Sequence, residues 1–204
     1  MDQQTTIKNE AFRSKFYMQN DFFCRTMDVF EDKDLNYRPQ VGMLSVKGQV
    51  LHVVGSLELF VSAYFSKFSH MAEVKHESFR PAELWSGDSQ PVIDLAWAER
   101  ADRTHYEINL SVDDVLDIFT KTMFYIRDLF AMLSLEQLQE PIGENTLVPS
   151  YFDGYGVVEM MLDHTAHHRG ALAQYARLLG YSPKIPYFDM EEALHEKQVR
   201  IGTS

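Results

Sequence analysis

The chain of 204 residues contains a single cysteine, Cys24. One cysteine excludes an intramolecular disulfide and any zinc site built from several thiolates. Cys24 lies among Phe22, Phe23 and Met27, and no histidine or basic cluster adjoins it. That setting favours a buried small hydrophobic residue over a reactive thiol. Any metal site in this chain must therefore draw most of its ligands from other residue types.

Positive charge is also scarce. Lys and Arg number 19 against 30 Asp and Glu, which gives a formal net charge of −11 and a pI near 5.1. The basic residues are scattered singly along the chain. Nucleic-acid-binding proteins and proteins that bind anionic membrane surfaces usually carry basic patches. The composition therefore argues against both kinds of partner.

Long apolar runs are absent as well. No run approaches the roughly 18–20 apolar residues that span a membrane. The first six residues, Met1–Thr6, are polar and lack the apolar stretch of a signal peptide. We therefore expect a cytoplasmic protein. With 45% hydrophobic residues, the chain can build a sizeable core, and we expect residues 1–204 to form one domain.

Apolar residues recur at helical spacing in four segments, and no segment alternates as a strand does. Ser45 is a suitable N-cap for the second helix, and Ser111 with Asp114 resembles a capping box at the start of the third. Gly180 is a natural end for the fourth helix. The pattern predicts an all-α fold, a four-helix bundle, with helices over residues 7–30, 45–67, 111–133 and 155–179.

The segment between the second and third helices, residues 69–110, is the least regular part of the chain. Forty residues without secondary structure would be unusual in a compact domain, so we expect an additional short helix near Ile93–Thr104. The rest of this segment could form a lid or an oligomer contact. Residues 134–149 contain Pro141 and Gly143 and look like an ordinary loop. A short terminal helix is expected over Glu191–Gln198.

The fourth helix carries three histidines within five residues: His164, His167 and His168. His164 and His168 are four residues apart and therefore share one helix face. Two imidazoles in that arrangement can bind one transition-metal ion. His167 is displaced by roughly 60° from His164 and 100° from His168 on the helix. It could replace His168 in an i, i+3 pair, but we favour His164 with His168.

A third ligand must come from another helix. His52 is the only histidine in the second helix, and it borders that helix's apolar stripe. Three imidazoles on one ion leave positions open for water or substrate, which is the pattern of a catalytic site rather than a structural one. The histidines of the irregular segment lie in polar surroundings, and we expect them at the surface: His70, His76 and His105.

The histidine motif differs from those of well-known metallopeptidases. In His-Glu-x-x-His enzymes a glutamate follows the first histidine and acts as general base. Here Thr165 occupies that position, so we do not expect a peptidase of that type. Gly154-Tyr155-Gly156 has no preceding strand and lacks the third glycine of a dinucleotide-binding loop.

The stretch His164-Thr165-Ala166-His167-His168-Arg169-Gly170, with Tyr175–Gly180 after it and His52 in the second helix, resembles the DinB/YfiT-like superfamily. The resemblance implies a four-helix bundle with a long crossover between helices 2 and 3. It also implies a metal triad of His52, His164 and His168 that binds a divalent ion such as nickel or zinc. Residues 69–110 are longer than this family's usual connection and are not covered by the resemblance.

Characterised members of that superfamily include S-transferases and isomerases that use low-molecular-weight thiols such as bacillithiol or mycothiol, and many form dimers. The resemblance therefore implies a metal-dependent thiol S-transferase acting on a small electrophile, as a homodimer. Two alternatives remain open: a metal-dependent hydrolase with the same triad, and a non-catalytic metal- or ligand-binding protein of a stress response.

Several side chains near the triad could assist it. Glu58, Asp163 or Tyr175 could orient a ligand or shuttle a proton. Arg169 could hold an anionic substrate group or form a surface ion pair. Because ligating histidines must be neutral, a metal held by ordinary imidazoles should leave below about pH 6.

Overall fold

The computed structural model describes residues 3–68, 110–145 and 148–187. Over these residues the chain is all-α, as expected, with no strand. One 3-10 turn, Asp32–Asp34, lies between the first two helices. The α-helices of the described part are α1 (Gln3–Met27), α2 (Val46–Phe65), α3 (Val112–Met132), α4 (Leu135–Gln139) and α5 (Gly154–Leu178).

The four long helices share one hydrophobic core. Both α1 and α2 pack against α3, and both pack against α5. The apolar residues that recur at helical spacing in the first segment are buried in this core, as predicted. One of them, Phe23, stacks on Phe119 of α3 with ring centroids 4.1 Å apart. Burying such a side chain contributes about 1.5–3 kcal/mol. The buried residues of this set are Phe12, Phe16, Phe23, Met27 and Phe30.

Helix α2 is the most buried helix of the described part. Every residue from Val46 to Leu57 is buried, so this half of the helix is enclosed on all sides rather than along one stripe. By length and composition α2 could cross a membrane. However, 72% of its apolar 18-residue stretch is buried inside the protein, as in the core helix of a globular domain. Its polar residues Gln49, His52 and Ser56 are enclosed with the apolar ones.

Side-chain caps fix the starts of α2 and α3. The Ser45 hydroxyl accepts a hydrogen bond from the backbone N–H of Gly48 at 2.9 Å. Ser111 and Asp114 form the reciprocal pair of a capping box, each accepting from the other's backbone N–H. Each cap satisfies a backbone donor that the helix leaves unpaired and is worth about 1 kcal/mol. The predicted caps are confirmed.

Helix α5, which carries the clustered histidines, is defined at both ends. Asp153 accepts from the Gly156 N–H at 2.8 Å, so the helix begins one residue before the expected start. At the other end Gly180 has φ of +88°, a conformation that favours glycine. The Tyr181 N–H then bonds the Ala176 carbonyl at 2.9 Å, which closes the helix as predicted.

The connector over residues 134–149 is not an ordinary loop, because it contains α4. Ser134 accepts from the Gln137 N–H at 3.1 Å, and the Gln137 side chain accepts from the Ser134 N–H at 2.8 Å. Leu138 anchors the helix in the core. Five residues are too few to show an apolar period, but the Ser-x-x-Gln capping box was a usable signal.

Some expectations lie outside the described residues. They are the short helix at Ile93–Thr104, the terminal helix at Glu191–Gln198 and the segment between α2 and α3. The other differences are at helix ends: α1 begins at Gln3 instead of residue 7 and stops at Met27 instead of residue 30, and α2 stops at Phe65 instead of residue 67. Differences of this size are common, because the ends of helices are the least determined by apolar spacing.

Two glycines of α5 should respond oppositely to alanine. A Cβ at Gly154 would lie 2.7 Å from the Tyr64 hydroxyl, which is bonded to the Gln137 carbonyl, and 3.1 Å from the Leu138 carbonyl oxygen. Gly170 has nothing within 4 Å in the described structure. We expect Gly154→Ala to lose about 1–3 kcal/mol and Gly170→Ala to gain about 0.5–1 kcal/mol. Urea unfolding measures both, and equal effects would contradict the packing described.

Candidate metal centre

The packing of α2 on α5 brings three histidines together. The ring centroid of His52 lies 5.2 Å from that of His164 and 4.5 Å from that of His168. The His164 and His168 centroids are 4.6 Å apart. One ring nitrogen from each residue lies within 4.8 Å of the other two. The residues that the sequence placed on two separate helices therefore form a single cluster.

The fourth nearby histidine is outside this cluster. His167 is exposed, and its ring contacts His168 edge-on with centroids 5.0 Å apart. The structure thus places His164 and His168, rather than His167, beside His52. The other histidines considered, His70, His76 and His105, lie outside the described residues.

Burial keeps the cluster neutral. It lowers the pKa of His52 from its usual 6.5 to about 4, with smaller effects from the charges of His164 and His167. Burial also lowers the pKa of His168, to about 3, and lowers that of His164. A neutral imidazole is the form that binds a metal ion. Proton competition should therefore begin below the pH of about 6 expected for ordinary imidazoles.

Two ring nitrogens in the cluster have no hydrogen-bond partner. His52 Nδ1 and His164 Nε2 are buried and unpaired within the described part of the protein. A buried polar group without a partner costs about 1–3 kcal/mol, and such groups are uncommon in folded proteins. A metal ion bound to both nitrogens would remove this cost.

The cluster fits a metal ion in chemistry and approximately in size. Imidazole nitrogen is a suitable ligand for zinc, nickel and copper. Zinc–nitrogen bonds of about 2.0–2.1 Å place the nitrogens of a tetrahedral site roughly 3.3 Å apart. Because the nitrogens lie within 4.8 Å of one another, the rings must approach one another by at most about 1.5 Å. Small side-chain rotations can supply a movement of this size.

A line of hydrogen bonds leads from the cluster to the backbone. The Nδ1 atom of His168 contacts Oε1 of Gln49, and Nε2 of Gln49 lies 3.0 Å from the Tyr175 hydroxyl. That hydroxyl lies 3.1 Å from the Leu44 carbonyl oxygen. Tyr175 was one of the residues expected to assist, and it contacts Gln49 rather than a histidine.

Gln49 is a site residue that the sequence reasoning missed. Its position three residues before His52 places both side chains on neighbouring parts of the same face of α2. Tyr175 likewise follows His168 by seven residues, which is two turns of α5. These spacings were visible in the sequence, but a glutamine is seldom singled out beside a histidine.

The remaining surroundings of the cluster are partly apolar. The ring of Phe60 meets that of His164 edge-on with centroids 5.8 Å apart, and it forms an apolar wall on that side. The His52 ring has a polar neighbour, because its Nε2 lies 3.5 Å from the Ser56 hydroxyl. Phe60 therefore gives the cluster an apolar neighbour on the His164 side.

Other residues expected to take part are placed as follows. Asp163 is exposed, and its charge acts on His164 from outside the cluster, opposing the fall in that residue's pKa. Glu58 is partly buried on α2. Arg169 lies beside the rings of Phe22 and Tyr187, 5.3 and 5.4 Å from their centroids, and those two rings contact each other edge-on. Within the described residues these cation–π contacts, rather than a surface ion pair, hold the guanidinium on the α1 side.

The fold and the cluster together define an all-α protein with three histidines placed to hold one metal ion. The chain belongs to the DinB superfamily, because residues 23–172 match the model of that family. The match includes all three histidines of the cluster and confirms the resemblance seen in the sequence. No curated protein and no solved structure matches the chain.

The metal-free protein should lose stability as the pH falls from 6.5 towards 4. Above pH 6.5 His52 is neutral in both the folded and the unfolded chain. Below it the unfolded chain binds protons that the folded chain, with its pKa of about 4, does not. Between pH 7 and pH 5 this residue alone should remove up to about 2 kcal/mol of unfolding free energy.

Urea unfolding in the presence of a chelator measures this effect. The variant His52→Gln, which cannot titrate, should show a smaller loss between the two pH values. The exposed His167 provides the matched control, because burial is the main cause of the lowered pKa of His52, so His167→Gln should keep most of the wild-type loss. A wild-type unfolding free energy that does not change from pH 7 to pH 5 would contradict the burial of neutral imidazoles.

Proposed function

We propose that this DinB superfamily protein binds a divalent metal ion, nickel or zinc, through His52, His164 and His168. One observation carries the proposal: three neutral imidazoles meet inside the protein, and two of them bury a ring nitrogen that has no partner among the described residues. Histidines that only filled space would not need to leave these nitrogens unpaired. One bound ion would satisfy the whole cluster at once.

We further propose that the site is that of a thiol S-transferase, which joins a low-molecular-weight thiol to an electrophilic small molecule. When bound, the ion supplies positive charge that favours the thiolate form of a thiol, the nucleophilic form. The protein's own ligands are all neutral, so they leave that positive charge uncompensated. Phe60 would limit access of water on the His164 side and contact apolar parts of the substrate.

The proposed architecture follows from the family. Helices α1, α2, α3 and α5 would be the four helices of the DinB bundle, and residues 69–109 would be the long crossover between its second and third helices. The contacts of α1 and α2 with both α3 and α5 support this proposal. In this arrangement the triad lies between the second and fourth helices of the bundle.

Metal content tests the first proposal. Protein purified without a histidine tag should contain stoichiometric divalent metal by elemental analysis. His52→Ala and His168→Ala should each lower metal affinity at least 100-fold, because each removes one of only three protein ligands. The exposed neighbour His167 is the control, and His167→Ala should keep the wild-type metal content. Wild-type protein that binds no divalent metal would contradict the proposed site.

Thiol-dependent turnover tests the second proposal. The metal-loaded protein should accelerate the reaction of bacillithiol or mycothiol with a generic electrophile. His52→Ala and His168→Ala should abolish the acceleration, and His167→Ala should retain it. Full turnover by metal-free variants would exclude the mechanism. Stoichiometric metal without turnover of any thiol would instead favour a metal-binding protein that is not a transferase.

A further inference from the structure

The donor and the acceptor of each hydrogen bond between His168 and Leu44 can be assigned by starting from Leu44. The last acceptor is the Leu44 carbonyl oxygen, which can accept a hydrogen bond but cannot donate one. The Tyr175 hydroxyl must therefore use its only proton to donate to Leu44. Its oxygen is then left to accept from Gln49.

The same reasoning fixes the orientation of the glutamine. A carboxamide has nearly the same shape when its oxygen and nitrogen are exchanged, so shape alone does not orient it. Because the Tyr175 oxygen needs a donor, the nitrogen of Gln49 faces the tyrosine. The oxygen of Gln49 then faces His168, where it can only accept. Nδ1 of His168 must therefore carry the proton.

A neutral imidazole has one proton and one lone pair. With the proton on Nδ1, the lone pair of His168 is on Nε2. We propose that Gln49 and Tyr175 are positioning residues that hold His168 in this tautomer and so present Nε2 as a metal ligand. The proposal rests on the metal site proposed above. It assigns a role to Gln49 and gives Tyr175 its role through Gln49.

Metal-binding histidines commonly donate the N–H of the ring nitrogen that does not bind the metal to a carboxylate or a carbonyl. A carboxylate has two acceptor oxygens and needs no further orientation. A carboxamide can rotate and offer an N–H group to Nδ1. His168 would then carry its proton on Nε2, and that nitrogen could not bind the metal. The tyrosine hydroxyl prevents this rotation, and the backbone carbonyl of Leu44 in turn orients the hydroxyl.

Nitrogen NMR of the metal-free protein near neutral pH tests the tautomer directly. The expected result for the wild type is His168 with a protonated Nδ1 and an unprotonated Nε2. Gln49→Met, which keeps the length of the side chain but removes its amide, should give a mixture of tautomers. Tyr175→Phe should also increase the Nε2-protonated form. A wild-type His168 protonated on Nε2 would overturn the proposal.

Metal affinity, measured by competition with a chelator, tests the consequence. Gln49→Met should lower the affinity about 10–100-fold, the range usual for such outer partners, and Tyr175→Phe should lower it less. Gln49→Glu should restore the affinity to the wild-type level or above, because a carboxylate can only accept from Nδ1. If Gln49→Glu keeps the metal affinity and Gln49→Met lowers it, Gln49 acts by positioning His168 and not only by packing.

The chain offers a matched control for each change. Gln19 is as buried as Gln49, but its amide donates to the Leu162 carbonyl, so Gln19→Met should leave metal affinity unchanged. Tyr181 bonds Asp34 at 3.0 Å and serves the same purpose for tyrosine in Tyr181→Phe. Circular dichroism of each variant establishes that it is folded.

The two proposals fail in different ways. If the wild type binds metal and Gln49→Met binds it equally well, the positioning role is overturned and the metal site stands. If the wild type binds no metal, the proposed function is overturned, and with it the purpose given to Gln49 and Tyr175. In that case the NMR measurement still decides whether these residues set the tautomer of His168.

Discussion

The need to satisfy polar groups inside α2 governs much of this structure. The N-terminal half of α2 is enclosed on every side, and it buries Gln49, His52 and Ser56 among valines and leucines. Buried polar groups destabilise a fold unless they are bonded. Helix α5 supplies most of what is needed, with Tyr175 for Gln49 and the imidazoles of His164 and His168 for the cluster. The pairing of α2 with α5 is thus chemical as well as hydrophobic.

The site depends on that pairing in two different ways. Hydrogen bonds direct His168, because Gln49 and Tyr175 connect it to the backbone at Leu44. In the described part of the chain, His52 and His164 each keep a buried ring nitrogen unpaired. His168 therefore has a hydrogen-bond partner outside the cluster. Among the described residues, His52 and His164 each have a ring nitrogen without such a partner. A shared ligand, such as the proposed ion, is the simplest group that would satisfy all three.

Apolar spacing and capping residues were enough to predict the four long helices and most of their ends. His52, His164 and His168 could be chosen from the sequence because an i, i+4 pair and one in-helix histidine suggest a shared site. Helix α4 was missed because five residues show no period. Gln49 was missed because its role depends on Tyr175, a residue 126 positions later that is brought to it only by tertiary packing. Local patterns carry no information about such a contact.

The lowered pKa values of the clustered histidines also could not be predicted from local sequence patterns. An ordinary imidazole has a pKa of 6.5, and the sequence gives no reason to expect His52 near 4. The difference arises from burial between α2 and α5 and from the neighbouring imidazoles. Protons would add separate charges to adjacent rings, which repel one another in a poorly solvated space. A metal ion adds its charge once and bonds to all three nitrogens. The burial that disfavours protonation would therefore leave the ring nitrogens neutral and available to the proposed ion.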